Sequence, residues 1–158
     1  MIGLLMYLMN TRTYICFAAN TLSQYMVEPR SVHLVAAKHV MRYLKGTIDY
    51  GLRYASYHEI SLQGFTDSDW ADSVVDWKSA FGCCFSMGST MISWFSRKQT
   101  SVALSKTEAE YIAACSASSE AMRLWKLLVG LFDLELETTY IRLRQPELCE
   151  VVGEPYVS

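Results

Sequence analysis

EISLQGFTDSD, residues 59–69, is the stretch in which the periodicity of the chain changes from helical to extended. Ile60, Leu62 and Gly64 occupy every second position, which is the period of a half-buried β-strand. The strand runs directly into Thr-Asp-Ser-Asp at residues 66–69. The pattern therefore predicts a β-strand that ends on two acidic side chains.

Three further elements are predicted after a polar loop. The apolar stretches 82–87 and 91–95 are separated by Gly-Ser-Thr, which is typical of a β-hairpin. Residues 105–129 favour a long helix, and Gly130 is expected to end it. A last strand is predicted over 138–143. The resulting order β, β, β, α, β indicates an α/β fold.

The segment before residue 55 is predicted to be helical. Four apolar residues recur at spacings of three and four, which predicts a helix over 31–45 with one buried face: Leu34, Ala37, Met41 and Leu44. Ser31 is expected to cap its N-terminus, and Gly46 to end it. An earlier helix is expected over about residues 14–26.

Charge is distributed unevenly along the chain. Residues 1–55 carry six basic and two acidic side chains, a net +4, which leaves −6 for the remainder of a chain whose total is −2. Lys38, Arg42 and Lys45 fall on one face of the predicted helix. Such a stripe is consistent either with contacts to phosphate groups or with an ordinary solvated surface.

Composition excludes several classes of protein. With 51% hydrophobic and 19% charged residues, the 158-residue chain can bury a core, so a disordered chain is excluded. The apolar run 1–9 is too short to span a membrane and lacks the features of a signal peptide. Five cysteines without a Cys-x-x-Cys pair favour a reducing compartment and no zinc site. We therefore expect an intracellular protein of the cytoplasm or nucleus.

Two carboxylates on different predicted elements are candidates for metal ligands. Asp67 ends the first strand and Glu110 lies in the first turns of the long helix. If they meet, their hard oxygen atoms suit Mg²⁺ or Mn²⁺. Acidic residues also occur at such places for structural reasons alone, and Glu108 fits the reciprocal position of a capping box with Ser105. Both interpretations stay open at this level.

Long motifs resemble the C-terminal part of the Pol polyprotein of copia-type LTR retrotransposons, over about residues 1–142. Two of them resemble the end of the reverse transcriptase region: NTLSQYMVEPR (20–30) and HVMRYLKGTIDYGLRY (39–54). Four resemble the attached ribonuclease H domain: FTDSDWAD (65–72), KSAFGCCFSMGS (78–89), SWFSRKQTSVALS (93–105) and TEAEYIAACSASSEA (107–121). The order β, β, β, α, β is also that of the ribonuclease H fold.

The resemblance implies a fold, a reaction and a site. It implies a helical remnant of reverse transcriptase over 1–55, followed over 56–142 by a ribonuclease H-like mixed sheet with flanking helices that is incomplete at its C-terminus. Such domains cleave the RNA strand of an RNA–DNA hybrid with two Mg²⁺ or Mn²⁺ ions. Asp67 and Glu110 match the family's first two catalytic and metal-binding carboxylates.

The tail departs from the family. Where relatives carry a Cys-Asp-Asn-Gln-Ser run, whose aspartate is the third metal ligand, this chain reads LRQPE over 143–147. If the family's codons for this segment are read one base out of frame, they can yield LRQPELCEVVGE. We therefore interpret 143–158 as a divergent, frameshifted tail. Sequencing the genomic locus tests this hypothesis, which fails if no other frame encodes a CDNQS-like run. With the third ligand lost and an arginine, Arg144, at or near its position, weak metal binding and no turnover are expected.

Two functional classes follow from these features. In the first, the chain is a vestigial ribonuclease H fragment. In the second, it binds an RNA–DNA hybrid or another nucleic acid without cleaving it, through five basic side chains: Lys38, Arg42, Lys45, Arg97 and Lys98. A pseudogene product without a selected role is a third possibility. No membrane partner is expected, and the oligomeric state is left open.

Overall fold

The structure is a computed structural model that describes residues 1–52, 54, 61–70, 76–132, 138–143 and 150–152. The chain divides into two compact units, Met1–Arg53 and Tyr54–Ser158. Most of the predicted tail lies outside the described residues, including Arg144 and Glu147. The frameshift hypothesis and the third ligand position therefore remain predictions.

The first unit is helical. It contains α1 (Ile2–Leu8), a 3₁₀ turn (Thr13–Ile15), α2 (Cys16–Ser23) and α3 (Ser31–Gly46). A small core joins the helices through four buried side chains: Leu5, Ala19, Leu22 and Ala37. The helix expected over 14–26 is thus shorter and starts with a 3₁₀ turn, and α1 was not predicted.

The buried face of α3 differs from the predicted one. Ala37 is fully buried and Leu44 packs against the core, but Val40 packs there in place of Met41. Leu34 and Met41 are exposed, at 49% and 43% of their full accessible area. Within the first unit α3 packs mainly on the short α2, so only a narrow stripe of the helix is covered.

Local hydrogen bonds fix both ends of α3. Arg30, rather than the expected Ser31, is the N-cap, and its backbone N–H donates to Nδ1 of His33 over 3.1 Å. At the other end, the guanidinium of Arg12 donates to the carbonyl oxygens of Thr47 (3.2 Å) and Ile48 (2.9 Å). A cation at the C-terminal end of a helix satisfies carbonyl groups that have no partner within the helix.

The second unit is a mixed sheet with one long helix. Its strands are β1 (Leu62–Asp69), β2 (Ala80–Met87), β3 (Thr90–Lys98), β4 (Thr139–Leu143) and β5 (Glu150–Val152), and α4 (Lys106–Phe132) connects β3 to β4. The spatial order is β3-β2-β1-β4-β5. β1 is antiparallel to β2 and parallel to β4, while β2 with β3 and β4 with β5 are antiparallel. The predicted α/β class and the ribonuclease H-like order are confirmed.

Element boundaries follow local backbone geometry. The hairpin turns at Gly88, whose φ of 60° suits a residue without a side chain. β3 continues three residues beyond its predicted end, to Lys98. Gly130 does not end α4 as predicted: the helix runs to Phe132, and Gly130 does not have the positive φ of a helix-terminating glycine.

The core of the second unit lies between the sheet and α4. Phe85 is fully buried at its centre and is surrounded by residues of both layers: Leu62, Cys83 and Ile141 from the sheet, and Ala117, Ala121, Leu124 and Leu128 from α4. Gly64 lies directly beside the ring, since a Cβ built there would be 2.7 Å from Cε1 of Phe85. Small residues on both layers thus let α4 approach the sheet closely.

One property of the helices bears on membrane association. Within the described ranges, no helix combines the length and the apolar character that crossing a bilayer requires.

Candidate functional site

Asp67 lies near the C-terminal end of the central strand β1. Its register partner is Gly82 on β2, and one of its carboxylate oxygens, Oδ1, is buried. Strand alternation places Thr66 and Ser68 on the side of β1 that also carries Leu62 of the core. Asp67 therefore lies on the alternate side of the strand, with Phe65.

Glu110 is a buried acid on the sheet-facing side of α4. Its side chain is 3% exposed, and it continues the helical face formed by Ala113, Ala117 and Ala121. Among the residues that the structure describes, neither carboxylate oxygen accepts a hydrogen bond. The nearest cation is Nζ of Lys106, 3.9 Å away on a half-exposed side chain. Buried carboxylates are normally paired, protonated or bound to a metal ion, so Glu110 has an unusual environment.

Gln99 ties the start of α4 to the sheet. Its backbone N–H donates to the carbonyl oxygen of Ser79 (2.8 Å), and its side-chain Nε2 donates to that of Ala109 (2.7 Å). Lys98, the residue before Gln99, pairs with Ala80 of β2, and Ala80 pairs with Asp69 at the end of β1. The first turns of α4 therefore lie at the C-terminal end of β1. Asp67 and Glu110 therefore occupy the same end of the sheet, but Asp67 lies on the side of β1 that faces away from α4.

The described residues supply two of the expected metal ligands and no complete set. No group of three or more His, Cys, Asp or Glu side chains with metal-binding geometry occurs in the parts of the chain that the structure describes. Glu108, in contrast, has a structural task. Its carboxylate accepts the N–H of Leu104 (2.6 Å), while its own N–H donates to Oγ of Ser105 (3.1 Å). The Ser105 half of the predicted capping box is thus present, but the Glu108 carboxylate accepts from Leu104 instead of Ser105, and Glu108 faces solvent.

The five basic candidates fall into two separate groups. Lys38, Arg42 and Lys45 are all exposed on α3, in the first unit. Arg97 and Lys98 end β3, in the second unit. Lys98 is paired with Asp76 at 2.8 Å, and the guanidinium of Arg97 lies 4.8 Å above the ring of Phe95. The stripe on α3 is therefore the part of this set with the greatest freedom to contact a polyanion.

Several curated proteins are similar to this chain over most of its length. The retrovirus-related Pol polyprotein from transposon RE1 of Arabidopsis thaliana is 39% identical over 158 residues, which cover 99% of this chain and 10% of that protein. The Pol polyprotein from transposon TNT 1-94 of Nicotiana tabacum is 40% identical over 137 residues, 85% of this chain and 10% of that protein. This chain belongs to the transposon Pol polyprotein family. It spans about a tenth of the length of these Pol relatives.

A relative of similar size carries a different name. Secreted RxLR effector protein 161 of Plasmopara viticola is 41% identical over 124 residues, which cover 78% of this chain and 87% of that protein. No protein-family model and no solved structure matches this chain significantly. Membership of the Pol family thus rests on sequence similarity to whole curated proteins.

A second acid of this Pol-family chain, Glu120, is partly buried and accepts hydrogen bonds from two side chains. Glu120 on α4 accepts hydrogen bonds from Arg123 (Nε to Oε2, 2.9 Å) and from Oγ of Ser93 on β3 (3.0 Å). The hydrogen bond from Arg123 is the main cause that holds the pKa of Glu120 below its ordinary value. The interaction joins α4 to the outer strand of the sheet.

This pKa shift predicts a pH dependence of stability. Because the pKa is lowered in the folded protein, the contribution of Glu120 is complete above its unfolded pKa and is lost as the pH falls through the lower folded pKa. In urea unfolding between pH 6 and pH 3, we expect Glu120→Gln to reduce the acid-dependent loss of stability. An unchanged pH profile would show that the interaction is absent in solution.

Sequence reasoning missed two residues of this region. Gln99 and Glu120 are fully and partly buried polar residues whose hydrogen bonds join the sheet region to α4. Gln99 follows two basic residues in the motif SRKQ, and such a polar run is typical of a solvated turn. Only the tertiary hydrogen bond to Ala109, ten residues further along the chain, reveals its role.

Proposed function

We propose that this chain is a fragment of a copia-type retrotransposon Pol polyprotein whose ribonuclease H-like domain no longer cleaves its substrate. In this proposal, residues 1–55 derive from the end of the reverse transcriptase region and 56–142 from the ribonuclease H domain. The family membership and the α/β sheet support the assignment of the domain. The substrate inherited from such a domain is an RNA–DNA hybrid.

The observation that carries the proposal is the environment of Glu110. This carboxylate is buried and lacks hydrogen bonds among the described residues. It lies at the end of the sheet where β1 carries Asp67. Such an environment fits a residue that once bound a cation. Asp67 and Glu110 would hold a Mg²⁺ or Mn²⁺ ion. When bound, such ions activate water and stabilise the leaving oxygen of a phosphodiester. Among the described residues, Asp67 and Glu110 are the two carboxylates proposed for this role.

Loss of cleavage follows from the chemistry of the third position. In sequence, Arg144 stands at or near the position of the family's third acidic ligand, so an oxygen donor is lost and a positive charge is added. Two unit charges 4 Å apart interact by about 4 kcal/mol at an effective dielectric constant of 20, and the cation is divalent. The proposed site therefore binds Mg²⁺ weakly.

Cleavage of a labelled RNA–DNA hybrid by the purified full chain tests this proposal. We expect no RNA cleavage in either Mg²⁺ or Mn²⁺ from protein that unfolds cooperatively on heating. RNA cleavage that depends on Asp67 would overturn the proposed loss of activity.

A second candidate function is nucleic-acid binding without catalysis. The observation that favours it is the stripe of Lys38, Arg42 and Lys45, three exposed cations spaced along one helix. None of the three forms an ion pair with another residue in the described ranges. Such a stripe can contact successive phosphates and release their counterions.

Neutralising this stripe predicts a change in the salt dependence of binding. The triple variant Lys38→Ala, Arg42→Ala, Lys45→Ala should lower the slope of log affinity against log salt by about 3, because each lost phosphate contact removes about one unit. Fluorescence anisotropy with a labelled hybrid measures this slope. Lys126→Ala, an exposed cation on α4, serves as the control. Equal slopes for wild type and the triple variant would exclude the stripe as the binding surface.

A further inference from the structure

The face of α4 that points away from the sheet is exposed over about five helical turns. Ala117, Ala121 and Leu124 lie on the opposite face, in the core against the sheet. Six exposed residues recur at spacings of three and four, which places them in one outward stripe along the helix: Glu108, Tyr111, Cys115, Ser119, Met122 and Lys126. Tyr111 and Met122 expose 59% and 44% of their full accessible area. A large part of this outward stripe is therefore apolar surface in contact with solvent.

The first half of the outward stripe is a shallow apolar groove. It has a volume of about 360 Å³ and is lined by the stripe residues from Glu108 to Ser119 together with Ile112 and Ser116. Oγ of Ser116 donates to the carbonyl oxygen of Ile112 (3.0 Å), and Oγ of Ser119 donates to that of Cys115 (3.0 Å). Because both hydroxyl groups already donate within the helix, covering the groove leaves neither of these donors unpaired. The groove can therefore be buried at little polar cost.

The charges of the outward stripe have opposite signs at its two ends. Glu108 stands at one end and Lys126 at the other, eighteen residues and about 27 Å apart, with four neutral residues between them. Lys126 forms no ion pair within the described ranges. A partner of uniform charge, such as a nucleic acid, would meet a like charge at one end of the stripe. A second copy of the stripe, running in the reverse direction, meets the opposite charge at both ends.

We infer that α4 packs in antiparallel orientation against α4 of a second copy of this chain, with the two-fold axis at the level of Ala117. Glu108 then lies opposite Lys126 of the second copy, and the symmetry repeats this pair. Cys115 and Ser119 lie near the axis, where short side chains let two helices approach closely. This inference does not depend on the proposed metal site.

The same arrangement brings apolar side chains together on either side of the axis. Tyr111 of each copy lies beside Met122 of the other, and the contact of a thioether with an aromatic ring is favourable. One helix face on each copy buries less than the roughly 1,200–2,000 Å² of a standard interface, so we expect a dissociation constant on the order of 10–100 μM. Hybrid binding measured at nanomolar concentration therefore concerns the monomer.

Reversing the charge of Lys126 tests this register. Lys126→Glu creates two like-charged pairs with Glu108 and should raise the dissociation constant about tenfold or more. The double variant Lys126→Glu, Glu108→Lys restores opposite charges and should return the dissociation constant to within about threefold of wild type. Sedimentation equilibrium of the full chain, at concentrations below and above the expected dissociation constant, measures these values. Reductant is present so that the exposed Cys115 forms no disulfide.

Two further substitutions separate this contact from other effects of charge. Cys115→Glu places two carboxylates beside the axis without changing Glu108, so only the monomer should remain, whereas Cys115→Ser should dimerise like wild type. Arg142→Glu is the control for Lys126→Glu, because Arg142 is exposed on β4, on the side opposite to the core residue Ile141. This control should leave the dissociation constant unchanged.

Three results would overturn the inference. The first is a species of 18.0 kDa at every concentration of the wild type. The second is a dimer that persists in Cys115→Glu, or that has the same dissociation constant in Lys126→Glu as in wild type. The third is a folded double variant that dimerises no more tightly than Lys126→Glu, because Glu108 would then not be the partner of Lys126.

Discussion

Replacing Phe85 by alanine should lower the free energy of unfolding of the second unit by about 3–5 kcal/mol. Phe85 is the largest fully buried side chain in the described part of the chain, and it contacts both β-strand and α4 residues of the core. Its loss leaves a cavity that the small residues around it cannot fill. Urea unfolding followed by circular dichroism measures the effect.

Gly64 provides a coupled variant that tests the same packing. Gly64→Ala places a Cβ 2.7 Å from Cε1 of Phe85 and 3.1 Å from Cγ1 of Ile141, so it should cost about 1–3 kcal/mol. In the Phe85→Ala background most of this cost should disappear, since the ring is absent. Gly130→Ala is the matched control, because no atom lies within 4 Å of its Cβ position and alanine favours the helix. Strict additivity of Gly64→Ala and Phe85→Ala would contradict this packing.

Glu110→Gln should raise the free energy of unfolding by about 1–3 kcal/mol in buffer without divalent cations. The substitution keeps the shape of the side chain but removes a buried charge whose oxygens accept no hydrogen bond among the described residues. The ion pair with Lys106 offsets little of this cost, because the lysine is half-exposed and 3.9 Å away.

Divalent cations should narrow the difference in stability between the two proteins. Mn²⁺ at millimolar concentration should raise the melting temperature of wild type more than that of Glu110→Gln, since the cation stabilises the charged form. Glu108→Gln is the control, because glutamine keeps the capping hydrogen bond and the residue is exposed. A loss of stability in Glu110→Gln without metal would mean that the carboxylate is well partnered in the folded protein.

Local periodicity was sufficient to predict the elements of the second unit from β1 to β4, but β5 was not predicted. β1, the hairpin of β2 and β3, α4 and β4 all occur where alternation, turn residues and the Ser105–Glu108 cap indicated them. In the first unit the same reasoning failed for α1 and for the buried face of α3. The reason is that α3 packs mainly on one short helix, so the neighbour and not the apolar pattern decides which residues are covered.

The candidate site was only partly accessible from the sequence. Asp67 and Glu110 are candidates predicted from the sequence, and their elements meet at one end of the sheet, while their role as metal ligands stays a prediction. The burial of Glu110 and the role of Gln99 could not be predicted from the sequence, because both depend on how α4 packs against the sheet. The identity of Arg144 is visible in the sequence, but its position relative to Asp67 falls outside the described residues.

Hydrolysis of a labelled RNA–DNA hybrid in Mg²⁺ and in Mn²⁺, by wild type and Asp67→Asn side by side, tests most directly whether the domain has lost its activity. Each sample is first shown to be folded by cooperative thermal unfolding, so that inactivity cannot arise from misfolding. We predict that the RNA strand stays intact with both proteins in both metals. Cleavage by wild type that Asp67→Asn abolishes would contradict the proposed loss of activity and would mean that another carboxylate, such as Glu147, has replaced the missing ligand.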